Sequence, residues 1–262
     1  LEKAYLNKNT YHTSEDHPRS FFDKLALNTR LYFFYKYFGV VLKSRKKVIN
    51  GVYDTRAWYE SSQKIFDLIE NCGGKFHLEG LENIDSENGP YVFISNHMSA
   101  LETMIFPGII APKTELTFVV KESLINYPFF GPIMQSRKPI VVSRENSRED
   151  LFKVINEGKE KLSNGSSIVI FPQSTRRTDL IHEAFNTLGV KLASKAKVKV
   201  IPIAIKTDFW GNSRFIKDLG SLHREKPIYM EFGKAIDITG NGKDDNQNIF
   251  NFISDRLKQW SD

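Results

Sequence analysis

The rhythm of hydrophobic and polar positions changes near residue 75. Residues 1–18 are mostly polar, with His12 and His17 ahead of Pro18, and read as a loosely held arm. Residues 19–47 are dense in apolar and aromatic side chains, from Phe21, Phe22 and Leu25 through Leu31, Phe33, Phe34 and Tyr37 to Leu42. No proline interrupts this stretch and Gly39 is its one breaker, so the pattern predicts a helix of several turns. It ends in a basic cluster, Lys43, Arg45, Lys46 and Lys47. Residues 55–71 carry Trp58, Ile65, Phe66 and Ile69 at helical spacing and stop at Gly73-Gly74, which predicts a second helix. The two together predict a helical hairpin separate from the remainder of the chain.

From Phe76 onward short apolar runs alternate with helical spacing. Candidate strands fall at 76–79, 91–95, 115–120, 139–143, 166–171, 198–205 and 227–232. One intervening helix is well marked: Ser147 is its expected cap, with Asp150 three residues on and Leu151, Val154, Ile155 and Leu162 as the buried face. A last helix is expected over about 244–260. The predicted fold is α/β, a mixed, largely parallel sheet covered by helices. The expected division is an N-terminal membrane-seating arm and helical pair (1–75), then an α/β domain (76–262).

Composition and charge add further constraints. The net charge of +6 favours anionic partners, either nucleic acid, an anionic membrane surface or phosphorylated substrates. The basic residues form no nucleic-acid motif, and the aromatic rings cluster beside the Lys43–Lys47 basic flank. That combination fits a segment lying among the headgroups of an anionic leaflet, with a helix packed on the protein's own core as the alternative. No apolar run is long enough for an ordinary spanning helix. The single cysteine, Cys72, excludes an internal disulfide and fits a reducing compartment. No His or Cys set has metal-ligand spacing, so no metal is expected.

The candidate chemistry gathers where predicted strands end. After Tyr91-Val92-Phe93-Ile94 comes the polar turn Ser95-Asn96-His97-Met98-Ser99, followed by helical spacing that opens with Leu101-Glu102. Open α/β sheets place ligands at the carboxyl ends of strands. An imidazole and a carboxylate on one turn suit a general base whose orientation the acid holds. Ser99 reads as a helix-start residue. Lys121, Arg144 and Arg176 each follow a predicted strand, and cations of this kind suit phosphate binding. Thr175 and backbone N–H groups of the 171–176 turn add neutral donors. No glycine-rich phosphate loop is present.

The ordered motifs resemble the glycerolipid acyltransferases of the 1-acylglycerol-3-phosphate acyltransferase group. That family carries Asn-His-x4-Asp, a strand-end Arg, Phe-Pro-Glu-Gly-Thr-Arg and Val-Pro-Val-Ala. Here these read Asn96-His97-x4-Glu102, Ile140-Val141-Val142-Ser143-Arg144, Phe171-Pro172-Gln173-Ser174-Thr175-Arg176 and Ile201-Pro202-Ile203-Ala204. Lys121-Glu122-Ser123-Leu124 resembles a further family segment, and the resemblance covers roughly residues 76–206. It implies direct acyl transfer from a thioester donor, acyl-CoA or acyl carrier protein, to the free hydroxyl of lysophosphatidate, giving phosphatidate with no further cofactor. His97 would be the base and Glu102 its partner. Lys121, Arg144, Gln173, Ser174, Thr175 and Arg176 would bind substrate, with backbone N–H groups near 171–176 as oxyanion donors. The setting implied is the cytoplasmic face of a membrane, peripheral or monotopic. Gln173 and Ser174 replace the family's Glu and Gly. That substitution keeps two alternatives open: another acceptor (glycerol 3-phosphate, another lysophospholipid or an aminoacyl lipid), or a non-catalytic lipid-binding relative.

Overall fold

The computed structural model describes residues 9–173, 175–214 and 216–261. The strands join in one sheet, in the order β1 (Tyr11–His12), β2 (Phe76–Glu79), β8 (Ile228–Phe232), β7 (Val200–Lys206), β3 (Val92–Ser95), β6 (Ser166–Ile170), β4 (Glu115–Lys121) and β5 (Ile140–Val142). β1–β2 and β8–β7 run antiparallel. The other neighbouring pairs are parallel. Parallel neighbours need crossovers, and these contain α4 (Leu101–Ile110), α7 (Ser147–Ser163) and α8 (Leu188–Ala196), while α9 (Lys243–Gln259) comes after β8. The expected mixed, largely parallel sheet is thus present, with all seven expected strands in place.

Strand alternation builds a core on each face. Phe93, Val169, Ile201, Ile203 and Ile205 face a layer made by α4 with α2 (Leu31–Ile49) and α3 (Thr55–Asn71). Val92, Ile94, Ile168, Ile170, Val200 and Ala204 face α7, α8 and α9. α3 crosses α4 so closely that a Cβ on Gly108 would lie 2.8 Å from the side chains of Ser62 and Gln63. Those two side chains bond the α4 backbone instead, Ser62 Oγ donating to Met104 O (2.6 Å) and Gln63 Nε2 to Gly108 O (2.7 Å).

Several expectations for the N-terminal part are corrected. The polar arm is pinned from residue 9 onward. Tyr11–His12 adds an edge strand, and Thr13 is buried, with Oγ1 accepting from Phe76 N (2.9 Å) and donating to Glu70 (2.7 Å). The helix expected over 19–47 is two helices, α1 (Phe21–Leu25) and α2, joined by a turn in which Leu27 and Asn28 are left-handed, at φ 53° and 59°. Arg224 fills that turn. It donates to Asn28 O (2.6 Å), Thr29 O (3.1 Å), Cys72 O (3.0 Å) and the buried Asp23 carboxylate (2.9 Å). Carbonyls that a continuous helix would use internally are satisfied by a side chain from far along the chain. Nor is the hairpin separate from the body. Phe33, Phe34 and Tyr37 pack around the buried Trp210 with ring centroids 4.9, 5.8 and 5.2 Å away. The opposite side leaves Phe21, Phe22, Leu25, Leu27, Leu31 and Tyr35 exposed.

The cap of α7 also differs from expectation. Asn146, not Ser147, is the N-cap, and its Oδ1 accepts from Arg148 N (3.1 Å) and Glu149 N (3.3 Å). Asp150 turns back to accept from Ser143 N (2.9 Å) and Arg144 N (2.7 Å), which fixes the loop after β5. Two short helices that the hydrophobic pattern does not predict, α5 (Glu122–Ile125) and α6 (Gly131–Ser136), link β4 to β5.

Candidate active site

The central strand β3 ends at Ser95, and the sheet carries its order one residue further. Asn96 imitates a strand partner of β7, its Nδ2 donating to Ile205 O (2.8 Å) and its Oδ1 accepting from Ile205 N (2.9 Å). That clamp sets where the next residue emerges. His97 Nδ1 lies 2.8 Å from Glu102 Oε1, in the first turn of α4. A carboxylate only accepts, so the Nδ1 proton is donated to it and Nε2 carries the lone pair. The imidazole stacks on Phe171 at 4.2 Å between ring centroids.

Glu102 is wholly buried. Its Oε1 also accepts from Met98 N (2.7 Å) and Ser99 N (2.9 Å), and its Oε2 from Ser99 Oγ (2.9 Å) and Thr207 Oγ1 (2.7 Å). Burial alone raises a carboxyl pKa. Here the hydrogen bond and charge of His97, with the Thr207 and Ser99 bonds, outweigh it and hold Glu102 below the ordinary value. Ser99 also accepts from Leu101 N (3.0 Å), as suits a helix-start residue. Its hydroxyl is committed to this network and does not face the reacting side.

A cavity of about 640 Å³ opens on His97. Lys121, Arg144 and Arg176 line it, as the strand-end argument expects, and so do the apolar side chains of Trp58, Phe118, Phe130, Ile133 and Met134. Burial lowers the Arg144 pKa, and the charge of Asp150 opposes that shift. The left-handed backbone at Arg144 (φ 63°) is the conformation in which Asp150 bonds it. Arg176 Nη1 donates to Asp218 Oδ1, and Asp218 lines the same cavity.

Other expected site residues stand elsewhere. Gln173 is buried behind the dyad and lines no part of the cavity. Its Oε1 accepts from His97 N (2.9 Å) and its Nε2 donates to Asp179 O (3.1 Å), so it fixes the His97 turn against the loop that carries Asp179. Its expected substrate contact is therefore corrected to a supporting one. Thr175 also lies off the cavity lining, with Oγ1 accepting from Lys217 Nζ (3.3 Å). Ser174 lies outside the described residues. Just past the expected oxyanion turn, Arg177 N donates to His97 O (2.9 Å), which commits that donor to structure. Thr207, Asn212 (Nδ2 to Met98 O, 2.9 Å) and Asp218 were missed. Only their place after β7, a neighbour of β3, hinted at them. Among the described residues no three His, Cys, Asp or Glu side chains form a metal-binding group.

A family model described as Acyltransferase matches residues 75–206. The chain is similar to the 1-acyl-sn-glycerol-3-phosphate acyltransferase of Pseudomonas aeruginosa, 32% identical over 172 residues, covering 65% of this chain and 63% of that protein. It is also similar to the Escherichia coli protein of the same name, 29% identical, covering 61% and 62%. The chain thus spans less than two thirds of the length of these relatives. Among solved structures it resembles the 1-acyl-sn-glycerophosphate acyltransferase PlsC of Thermotoga maritima, with a TM-score of 0.61, 19% identity and 92% of each chain covered. At that identity the likeness concerns the fold.

Proposed function

The chain belongs to the acyltransferase family, and we propose that it moves a fatty acyl group from a thioester donor, acyl-CoA or acyl carrier protein, to the free hydroxyl of 1-acylglycerol 3-phosphate, forming phosphatidate. The observation that carries this reading is a His–Glu dyad opening on one cavity that holds both cations and apolar walls. Phosphate and acyl chain need those two environments together.

His97 Nε2 takes the proton of the acceptor hydroxyl as its oxygen attacks the thioester carbonyl. Glu102 holds the ring and stabilises the imidazolium that forms. When the tetrahedral intermediate collapses, the C–S bond breaks and the imidazolium returns the proton to the departing thiolate. Arg144, Arg176 and Lys121 hold the acceptor phosphate. The reaction calls on no enzyme nucleophile and no cofactor. The exposed apolar residues of α1 and α2, followed by the basic cluster to Lys47, support a membrane seat at the cytoplasmic face, in contact with anionic lipid. No helix among the described residues is long and apolar enough to cross a membrane.

The test is thioester release across a panel of acceptors: lysophosphatidate, glycerol 3-phosphate, other lysophospholipids and an aminoacyl lipid. Lysophosphatidate is expected to give the highest kcat/KM, and His97→Ala to lower it roughly 100-fold or more. A stronger preference for another acceptor would replace the substrate assignment. Undiminished turnover in the variant would remove His97 as base.

A further inference from the structure

We propose that Asp218 is a positioning residue for the phosphate site, acting through Arg176 and braced by the N-terminal helices. This rests on the reading that Arg176 holds the acceptor phosphate. A lone arginine on a loop has many rotamers, and fixing one in advance removes an entropic cost from binding. Arg176 has such a fixing partner, since its Nη1 donates to Asp218 Oδ1 while both residues line the cavity. A guanidinium has five N–H donors. One carboxylate oxygen on Nη1 leaves donors for a phosphate.

Asp218 is itself held from two directions. It lies in the short 3-10 turn Lys217–Leu219. The indole Nε1 of Trp210 donates to Asp218 O (3.1 Å), and Arg30, the residue before α2, donates to Leu219 O. Trp210 is packed by Phe33, Phe34 and Tyr37 of α2. Burial pushes the Tyr37 phenol well above its ordinary pKa and the Asp218 charge adds to the shift, which places α2 within electrostatic reach of the pair. Lys217 Nζ reaches Thr175 Oγ1, a second tie between this turn and the loop that carries Arg176. Side chains therefore connect the exposed apolar helices to a phosphate-binding arginine without a gap.

The alternative is that Asp218 merely occupies Arg176 and competes with phosphate. The two readings differ in sign. If Asp218 competes, removing it tightens phosphate binding; if it positions, removal weakens binding although a negative charge has gone. The measurement is the dissociation constant of lysophosphatidate in detergent micelles by calorimetry, on the full chain. Asp218→Ala should weaken binding about tenfold, the size of one charge-assisted hydrogen bond. Asp218→Asn keeps the Oδ1 acceptor without its charge and should recover part of that loss. Arg30→Ala should shift binding in the same direction by less. In an Arg176→Ala background, Asp218→Ala should add almost nothing, because its partner is already absent. Tighter binding in Asp218→Ala, or a full additional loss in the Arg176→Ala background, overturns the proposal. Calorimetry reads binding without turnover, so failure of acyl transfer and failure of this role are separate results.

Discussion

Glu102 is one methylene longer than the family's Asp, yet it meets the His97 ring at 2.8 Å because the buried carboxylate is located by four further donated hydrogen bonds. Its lowered pKa makes it a stabilising charge with a definite pH window. A carboxyl whose folded pKa lies below its unfolded value contributes fully above the unfolded value. That contribution is lost as pH falls through the folded one. The urea midpoint of the native protein should therefore exceed that of Glu102→Gln at pH 7, and the gap should narrow as pH drops from about 4.5. A gap that widens on acidification would contradict the lowered pKa. The dyad was legible in sequence because both partners lie on one turn, five positions apart. Thr207 was not, since it reaches Glu102 from 105 positions away and only strand order brings it near. Gln173 and Ser174 stand where the family has Glu and Gly, and the geometry of Gln173 explains why an amide fits there. One end accepts from His97 N and the other donates to a carbonyl, and an ionised glutamate cannot do the second. Gln173→Glu should cost on the order of 1–3 kcal/mol at pH 7, the penalty of an unsatisfied buried carbonyl. Denaturant titration would measure it.

Strands were readable because their alternation is local and both faces of the central ones are buried. Two element-scale features were not. β1 has two residues, too few for any period, and is held by backbone pairing with β2 and by the neighbouring Thr13, whose N and Oγ1 both bond Phe76. The break between α1 and α2 depends on Arg224, whose donors satisfy the turn's carbonyls across 195 and more positions of chain. The apolar density of 19–47 serves two purposes, and periodicity alone did not divide them. Phe33, Phe34 and Tyr37 face the core, whereas Phe21, Phe22 and Leu25 face outward. The two groups make opposite predictions. Phe34→Ala should destabilise the fold by about 3–5 kcal/mol, as for a large ring lost from a core. Replacing Phe21 and Phe22 with Ser should leave the unfolding midpoint nearly unchanged and lower partitioning onto vesicles by roughly tenfold or more, since each ring withdraws apolar surface from water. A large loss of fold stability in the double variant would place α1 in the core instead.

At the scale of the whole molecule, the sheet's polarity brings the carboxyl ends of β3, β4, β5 and β6 to one edge, and the strand-end cations His97 faces come from there. The helical pair, which the sequence pattern marks as a separate piece, shares the core on one face of that sheet, so the proposed membrane seat would be rigidly tied to the site. Its two components respond differently to conditions. The proposed apolar insertion by α1 would be indifferent to salt, whereas attraction between a +6 chain and anionic lipid is screened over about 8 Å at physiological ionic strength. Reversing the charge of Lys43, Arg45, Lys46 and Lys47 should therefore weaken flotation with anionic vesicles at low salt and change little with neutral ones. Of these, Lys43 and Lys46 are exposed, and Lys47 pairs with Glu60 at 3.6 Å, so the two exposed lysines should account for most of the effect. With acceptor embedded in anionic vesicles the same variant should show a raised apparent KM at unchanged kcat. With acceptor dispersed in neutral detergent it should match the native protein. Unchanged flotation would remove the electrostatic part of the seat, and an equal loss in detergent would mean that the basic cluster acts on the site itself.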